Sequence, residues 1–294
     1  MGPKIYLDYT QEELDRQYEH RSIVPDSDDF IARNEAESAQ IRAAAHGQFD
    51  VAYGPNPDQL LDIYPAAGDG LSPVVVFFHG GRWSRGDKTS NIESLATYNA
   101  AGTHFVSVGF TLILDITMDG LIRQCRDAMV WLWHNARSFG GDPDRLFVMG
   151  KSSGGHLAAM MVVTDWEAER GVPANVIKGG LLVSGMYDLE PVRLSFRNGF
   201  LYLDEEMAMR NSPIHHIPDG GCPLIVGFGS LETDEFQRQG RTFAAAWAGR
   251  GLSCQLVEIA GRHHFSINAD MNDPGGDLVT PFLKHIGVAG TAVS

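Results

Sequence analysis

Hydrophobic positions along the chain follow two different periods. Seven short runs, at 60–64, 74–78, 104–110, 146–149, 177–183, 224–228 and 254–259, are rich in β-branched and aromatic residues, and several show no polar alternation. Strands covered on both faces have this pattern, because neither face meets water. Between the runs, Met118, Leu121, Ile122, Cys125, Met129, Leu132 and Trp133 recur at steps of three and four, which predicts an amphipathic helix. Strands alternating with helices predict an α/β fold built on a mostly parallel, doubly wound sheet. The stretch 188–217, rich in Arg, Glu and Pro, reads as an excursion from that core between two strands.

The first 48 residues follow a different pattern. Thr10, with Glu13 three residues on, forms a capping box, and Tyr9 and Leu14 occupy the flanking staple positions, so a helix should start here. A second helix is expected from about 28 to 46, closed by Gly47 as a left-handed C-cap. No strand signal precedes Phe49. The chain therefore divides into an N-terminal helical segment, 1–48, and a sheet domain, 49–294. The segment either caps the pocket, packs on the side of the domain or makes a homodimer contact.

Composition narrows the possibilities. With 294 residues, 44% hydrophobic and 10% aromatic, the chain can bury a large core, which excludes disorder and fibrous repeats. Asp plus Glu number 37 against 23 Lys plus Arg, a net charge of −14 that repels phosphate backbones and anionic lipid. Neither a nucleic acid nor a membrane is an expected partner. No apolar run nears the ~20 residues of a membrane helix, and no signal-peptide core opens the sequence, so a cytoplasmic location is the default expectation. Cys125, Cys222 and Cys254 are odd in number and far apart, and read as buried thiols.

The chemistry concentrates in two motifs. Gly150-Lys151-Ser152-Ser153-Gly154 follows the run 146–149 and precedes a helix-forming stretch, which is the strand-turn-helix context of a GxSxG nucleophile elbow. So tight a turn admits only small neighbours and lifts Ser152 above the sheet with its hydroxyl exposed. The second motif, His79-Gly80-Gly81-Arg82-Trp83, directly follows the run 74–78. Acyl transfer creates an oxyanion, and unobstructed backbone N–H groups stabilise it. The N–H groups of Gly80, Gly81 and Ser153 would together form such a hole.

These motifs resemble the α/β-hydrolases of the hormone-sensitive-lipase type, and within them the kynurenine formamidase (arylformamidase) branch. The likeness is carried by HGGRW at 79–83, DPDRLFVMGKSSGGHLAA at 142–159, SGMYDLEPV at 184–192, GSLETDEFQRQ at 229–239 and GRHHF at 261–265. It spans about 49–286 and is weaker in the N-terminal helices. The tryptophan after the glycines is more like the formamidase branch than like general lipases. Phe110 stands where these enzymes usually carry Tyr, and Arg82 where an aromatic residue is common.

The resemblance implies an α/β-hydrolase fold with a helical cap and a serine hydrolase that needs no cofactor or metal. Its substrate would be a small aromatic acyl compound, whether ester, amide or formamide, cleaved through an acyl-enzyme. In this fold the triad follows the order Ser, acid, His. The family's His-Phe pair aligns with His264-Phe265, which makes His264 the base and His263 a neighbour. Glu232, three residues after Gly229, falls where the family places its acid. Asp188 and Asp234 are the alternatives, and Asp234 with Glu235 is also explained by the helix dipole. His215 and His216 read as structural.

No HExxH or comparable ligand spacing supports metal chemistry. Some relatives of the fold have lost the catalytic histidine and act as small-molecule receptors, a rival function that the retained Ser152 and His264 oppose. Arg82 and Trp83 are candidate substrate contacts. Arg82 could meet a substrate carboxylate if it turns inward, or pair with Asp87 on the surface if it turns outward.

Overall fold

The computed structural model describes residues 2–288. A hairpin of β1 (Lys4–Tyr6) and β2 (Tyr9–Thr10) leads into α1 (Gln11–Tyr18), α2 (His20–Ile23) and α3 (Ser27–Ala44). The capping box forms: the Thr10 hydroxyl accepts from the Glu13 N–H, and the Glu13 carboxylate accepts from the Thr10 N–H at 2.7 Å. Two strands thus precede Phe49, contrary to the sequence reading. With three and two residues, they are too short to carry a period-2 pattern.

One sheet holds the remaining eight strands: β3 (Gln48–Ala52), β4 (Leu60–Tyr64), β5 (Ser72–Phe78), β6 (His104–Val108), β7 (Gly141–Lys151), β8 (Ile177–Val183), β9 (Leu224–Gly229) and β10 (Cys254–Ile259). Their spatial order is β10-β9-β8-β7-β5-β6-β4-β3. Strands β5 to β10 pair in parallel, while β4 runs antiparallel to both β6 and β3. The mostly parallel, doubly wound α/β sheet expected from the sequence is therefore present.

Helices cover both faces: α4 (Leu95–Ala100), α5 (Met118–Asn135), α6 (Ser153–Val162), α7 (Trp166–Arg170), α8 (Glu190–Leu194), α9 (Asn198–Leu201), α10 (Glu205–Arg210), α11 (Asp234–Gly249), α12 (Asn268–Asn272) and α13 (Val279–Ile286). Alternation along β5 divides the core. Val74, Val76 and Phe78 join Leu121, Met129, Leu157 and Trp247 on one face. Val75 and Phe77 join Tyr98, Phe282 and Leu283 on the other. Each face is covered, which is why the strand reads as an unbroken apolar run. The excursion at 188–217 contains α8, α9 and α10.

Helix α3 departs from expectation at its C-terminus. It stops at Ala44, with Ala45 extended as the C-cap. Gly47 is instead needed for close approach to β4, since a Cβ there would lie 2.3 Å from the Ile63 carbonyl oxygen. Polar anchors hold this helix. Arg42 pairs with the fully buried Asp62 at 2.7 Å, and the Ser38 hydroxyl accepts from the Ile92 N–H. Of the cysteines, Cys125 is buried, whereas Cys222 and Cys254 are only partly so. Among the described residues no helix is long and apolar enough to cross a membrane.

The sheet also fixes where a site can form. The chain passes from β5 to β6 on one side and then crosses back to β7 on the other. Ligands of open α/β sheets bind at the strand C-termini beside such a switch point. The loop after β5 carries residues 79–83, and the turn after β7 carries Ser152.

Candidate active site

Ser152 stands between β7 and α6 with φ 58° and ψ −125°, a left-handed conformation that costs a non-glycine residue energy. Packing enforces it. A Cβ on Gly154 would lie 2.0 Å from the Phe78 carbonyl oxygen, so α6 starts pressed against the end of β5. The Ser152 N–H is anchored on the Val183 carbonyl at 2.9 Å. Its hydroxyl lies 3.0 Å from His264 Nε2, and His264 Nδ1 lies 2.8 Å from Glu232 Oε2. With Nδ1–H donating to the carboxylate, Nε2 is free to accept from the serine.

Glu232 sits in the turn after β9 and is buried, with Oε1 accepting from the Gly229 N–H at 2.8 Å and the Ser184 hydroxyl at 2.5 Å. Burial pushes its carboxyl above the ordinary range, and these two donors push it back down. Burial also holds His264 well below the usual imidazole value, helped by the cations Lys151 and Arg197. The base is therefore neutral at rest.

The other candidate acids serve elsewhere. Asp188 accepts from the Tyr6 hydroxyl at 2.9 Å and from the Glu190 N–H. Asp234 is exposed at the start of α11, while Glu235 is buried and paired with Arg238. His263 packs edge-on against Phe30, and His215 and His216 are exposed in the excursion.

The loop after β5 makes a left-handed run through Gly81, Arg82 and Trp83, with φ of 115°, 58° and 59°. Among the described residues no protein group accepts from the N–H of Gly80, Gly81 or Ser153, so all three donors are unspent beside the Ser152 hydroxyl. His79 is buried at the start of the loop, donates Nδ1–H to the Gly80 carbonyl at 2.8 Å and stacks on Phe110. Phe110 thus supplies an apolar face for this ring.

Two sequence expectations separate here. Trp83 is not a substrate contact: it is 1% exposed and donates Nε1–H to His156 Nδ1 at 3.1 Å, while His156 Nε2 reaches the Asn211 carbonyl at 2.8 Å. It braces the loop against α6. Arg82 instead faces the cavity, half-buried, with no carboxylate in ion-pair range among the described residues. Asp87 is occupied by the backbone and hydroxyl of Thr89.

The cavity measures about 240 Å³ and is lined by Ser152, His264, Gly80 and Gly81 together with Arg82 and Arg197. The N-terminal segment also contributes to its wall, with Tyr18, Glu19, His20, Arg21, Ile31 and Asn34. Sequence reasoning missed several of these contributors. Arg197 is buried, donates to the Tyr18 carbonyl at 2.6 Å, and has no carboxylate partner among the described residues. Ser184, behind the cavity wall, holds Glu232 from the end of β8, where the sequence shows only a small polar residue. His20, more distant in sequence, gave no signal. His20, Glu232 and His264 have potential ligand atoms within 4.8 Å of one another, but those of Glu232 and His264 are already spent on each other and on Ser152.

Comparison with known proteins finds hydrolytic enzymes. A family model described as BD-FAE matches residues 61–178. The kynurenine formamidase of Danio rerio is 30% identical over 290 residues, covering 95% of this chain and 97% of that protein. An isoprenylcysteine alpha-carbonyl methylesterase of Arabidopsis thaliana is 28% identical, over 73% of this chain and 55% of its own length. Among solved structures, a putative thioesterase from Silicibacter superposes with a TM-score of 0.78 at 23% identity, covering 91% of this chain and 98% of that one. An esterase of Pyrobaculum calidifontis gives 0.70 at 22% identity, over 90% and 95%. The relatives are hydrolytic enzymes, which supports a hydrolase and sets aside the receptor alternative. By its sequence likeness along nearly the whole length, and by its fold, the chain belongs to the kynurenine formamidase family of α/β-hydrolases.

Proposed function

We propose that the chain cleaves N-formyl arylamines and related aryl esters that bear a carboxylate, with Ser152 as nucleophile. The observation that carries this reading is the unbroken hydrogen-bonded line from Ser152 through His264 to Glu232, beside three unspent N–H donors. Ser152 Oγ attacks the acyl carbon while His264 Nε2 takes the hydroxyl proton, and Glu232 holds the imidazolium that results. The N–H groups of Gly80, Gly81 and Ser153 receive the oxyanion. His264 then gives its proton to the departing amine or alcohol, leaving an acyl-serine. Water, deprotonated by the same base, releases the acid and restores Ser152.

The substrate class follows from the lining. A cavity of about 240 Å³ is small for a ligand pocket and suits a single-ring molecule. Arg82 and Arg197 bring two cations without carboxylate partners into a protein of net charge −14, a local reversal of sign that favours an anionic substrate. The relative named kynurenine formamidase supports the formamide member of this class.

The test is a matched panel of neutral and carboxylated N-formyl arylamines and aryl esters, run on wild type and Arg82→Ala. The carboxylated members should lose kcat/KM by about tenfold or more in the variant, with the neutral ones little changed. Equal losses on both sets would remove Arg82 from substrate recognition.

A further inference from the structure

His20, the first residue of α2, is brought to the active site by the N-terminal segment. Its ring lies face to face with that of His264, with centroids 4.1 Å apart and planes 17° from parallel. Phe236 lies beside the pair, edge-on to His20 at 4.4 Å and to His264 at 5.0 Å. The residue is 5% exposed, and its Nε2 is buried without a hydrogen-bond partner. Leaving a buried polar atom unmatched is costly, and a phenylalanine would fill much the same volume without that penalty. An unmatched polar atom against the base of a candidate triad therefore calls for an explanation.

We propose that His20 is a positioning residue for the hydrolytic reaction: its stacked ring keeps water off one face of His264 and holds that imidazole in line with Ser152. The inference rests on the assignment of His264 as the base. Three consequences follow from the stacking. A covered face leaves the ring of His264 little room to swing away from Ser152 Oγ, 3.0 Å distant. Exclusion of water makes the imidazolium costly in the free enzyme, so the base stays neutral to lower pH. When His264 takes the serine proton during reaction, the π face of a neutral His20 lies against the new cation, an attractive arrangement.

The charged groups facing the pair are few. Around His264 stand Glu232 after β9, Lys151 at the end of β7, Arg197 at the start of α9 and the adjacent His263. Around His20 stand Glu232, Lys151, Arg197 and His264 itself. Burial keeps His20 neutral, so the stacked rings do not carry like charges.

The sign of the expected effect is fixed. A general base must be unprotonated, so kcat/KM falls as pH drops through the pKa of His264 in the free enzyme. Removing the covering ring admits water, stabilises the imidazolium and raises that pKa. His20→Ala should therefore move the acid limb of the kcat/KM profile upward by about one pH unit. His20→Asn, also small and polar, serves if the alanine variant does not fold. His20→Phe keeps a covering ring and should leave the limb within a few tenths of a unit of wild type, whatever its kcat. A role confined to packing the N-terminal segment would lower kcat or stability and leave the limb in place.

Imidazole NMR of His264 in the same variants reads the titration independently of turnover, and should show the same upward shift for His20→Ala or His20→Asn. A limb and an NMR titration that stay put in the small variants would overturn the proposal. So would a shift in His20→Phe as large as that in His20→Ala. Ser152→Ala, assayed alongside, separates this idea from its premise: full turnover there would overturn the hydrolase assignment, while His20 is still judged on the titration of His264.

Discussion

Glu232 is held between opposing influences. Burial disfavours its charge, while the Gly229 N–H, the Ser184 hydroxyl and His264 Nδ1–H all favour it. An amide at this position keeps the shape but can present an N–H to Nδ1, which forces the wrong imidazole tautomer. Glu232→Gln should therefore lower kcat by about 10⁴-fold with the fold intact, as measured by ester turnover and circular dichroism. Asp188→Asn should leave chemistry nearly unchanged, because Asp188 is engaged with Tyr6. A large catalytic loss in Asp188→Asn alone would reverse the assignment. At this scale the sequence exposed residues whose role is tied to a local motif or strand end: Ser152, His264 and Glu232. It misplaced Trp83, because neighbours in a left-handed loop point in different directions, Arg82 toward the cavity and Trp83 into the core. It could not reveal His20 or Arg197, whose contacts exist only once distant segments meet.

Helix α1 matters because its end delivers Tyr18 and His20 to the cavity. Its first turn is fixed by the reciprocal Thr10 and Glu13 bonds, and its body packs against α8 and α11. Thr10→Ala should cost ~1 kcal/mol of stability. Denaturant unfolding would show a lower midpoint at unchanged m-value, and an unchanged midpoint would mean that tertiary contacts alone hold the helix. This element was legible because caps and apolar positions agreed. Helix α3 was legible as a helix but not at its end, since Arg42 and Ser38 anchor it through polar contacts that leave no apolar stripe. Strand β7 likewise begins at Gly141, ahead of the apolar run at 146–149, because Asp142, Asp144 and Arg145 interrupt the apolar pattern with polar side chains while the backbone stays in the strand.

Across the whole molecule, five histidines among the described residues are buried; burial holds four of them, His20, His79, His156 and His264, far below the ordinary imidazole value and lowers the fifth, His104, as well. His79 and His156 come down to about 4. In the unfolded chain all five titrate near ~6.5. Between that value and the lower folded-state values the unfolded chain binds more protons, so stability must fall as pH falls. Each imidazole contributes ~1.4 kcal/mol per pH unit within its window, which for His79 and His156 closes near pH 4. Denaturation midpoints should therefore drop steeply from pH 7 to pH 5, and a flat profile would show that these rings are hydrated or charged in the folded state. Covalent labelling tests most directly whether Ser152 is the nucleophile. After treatment with a fluorophosphonate, mass-spectrometric mapping should place one adduct on Ser152, with turnover lost in proportion to labelling. Full turnover with Ser152 labelled, or inactivation with the adduct elsewhere and Ser152 unmodified, would contradict the account.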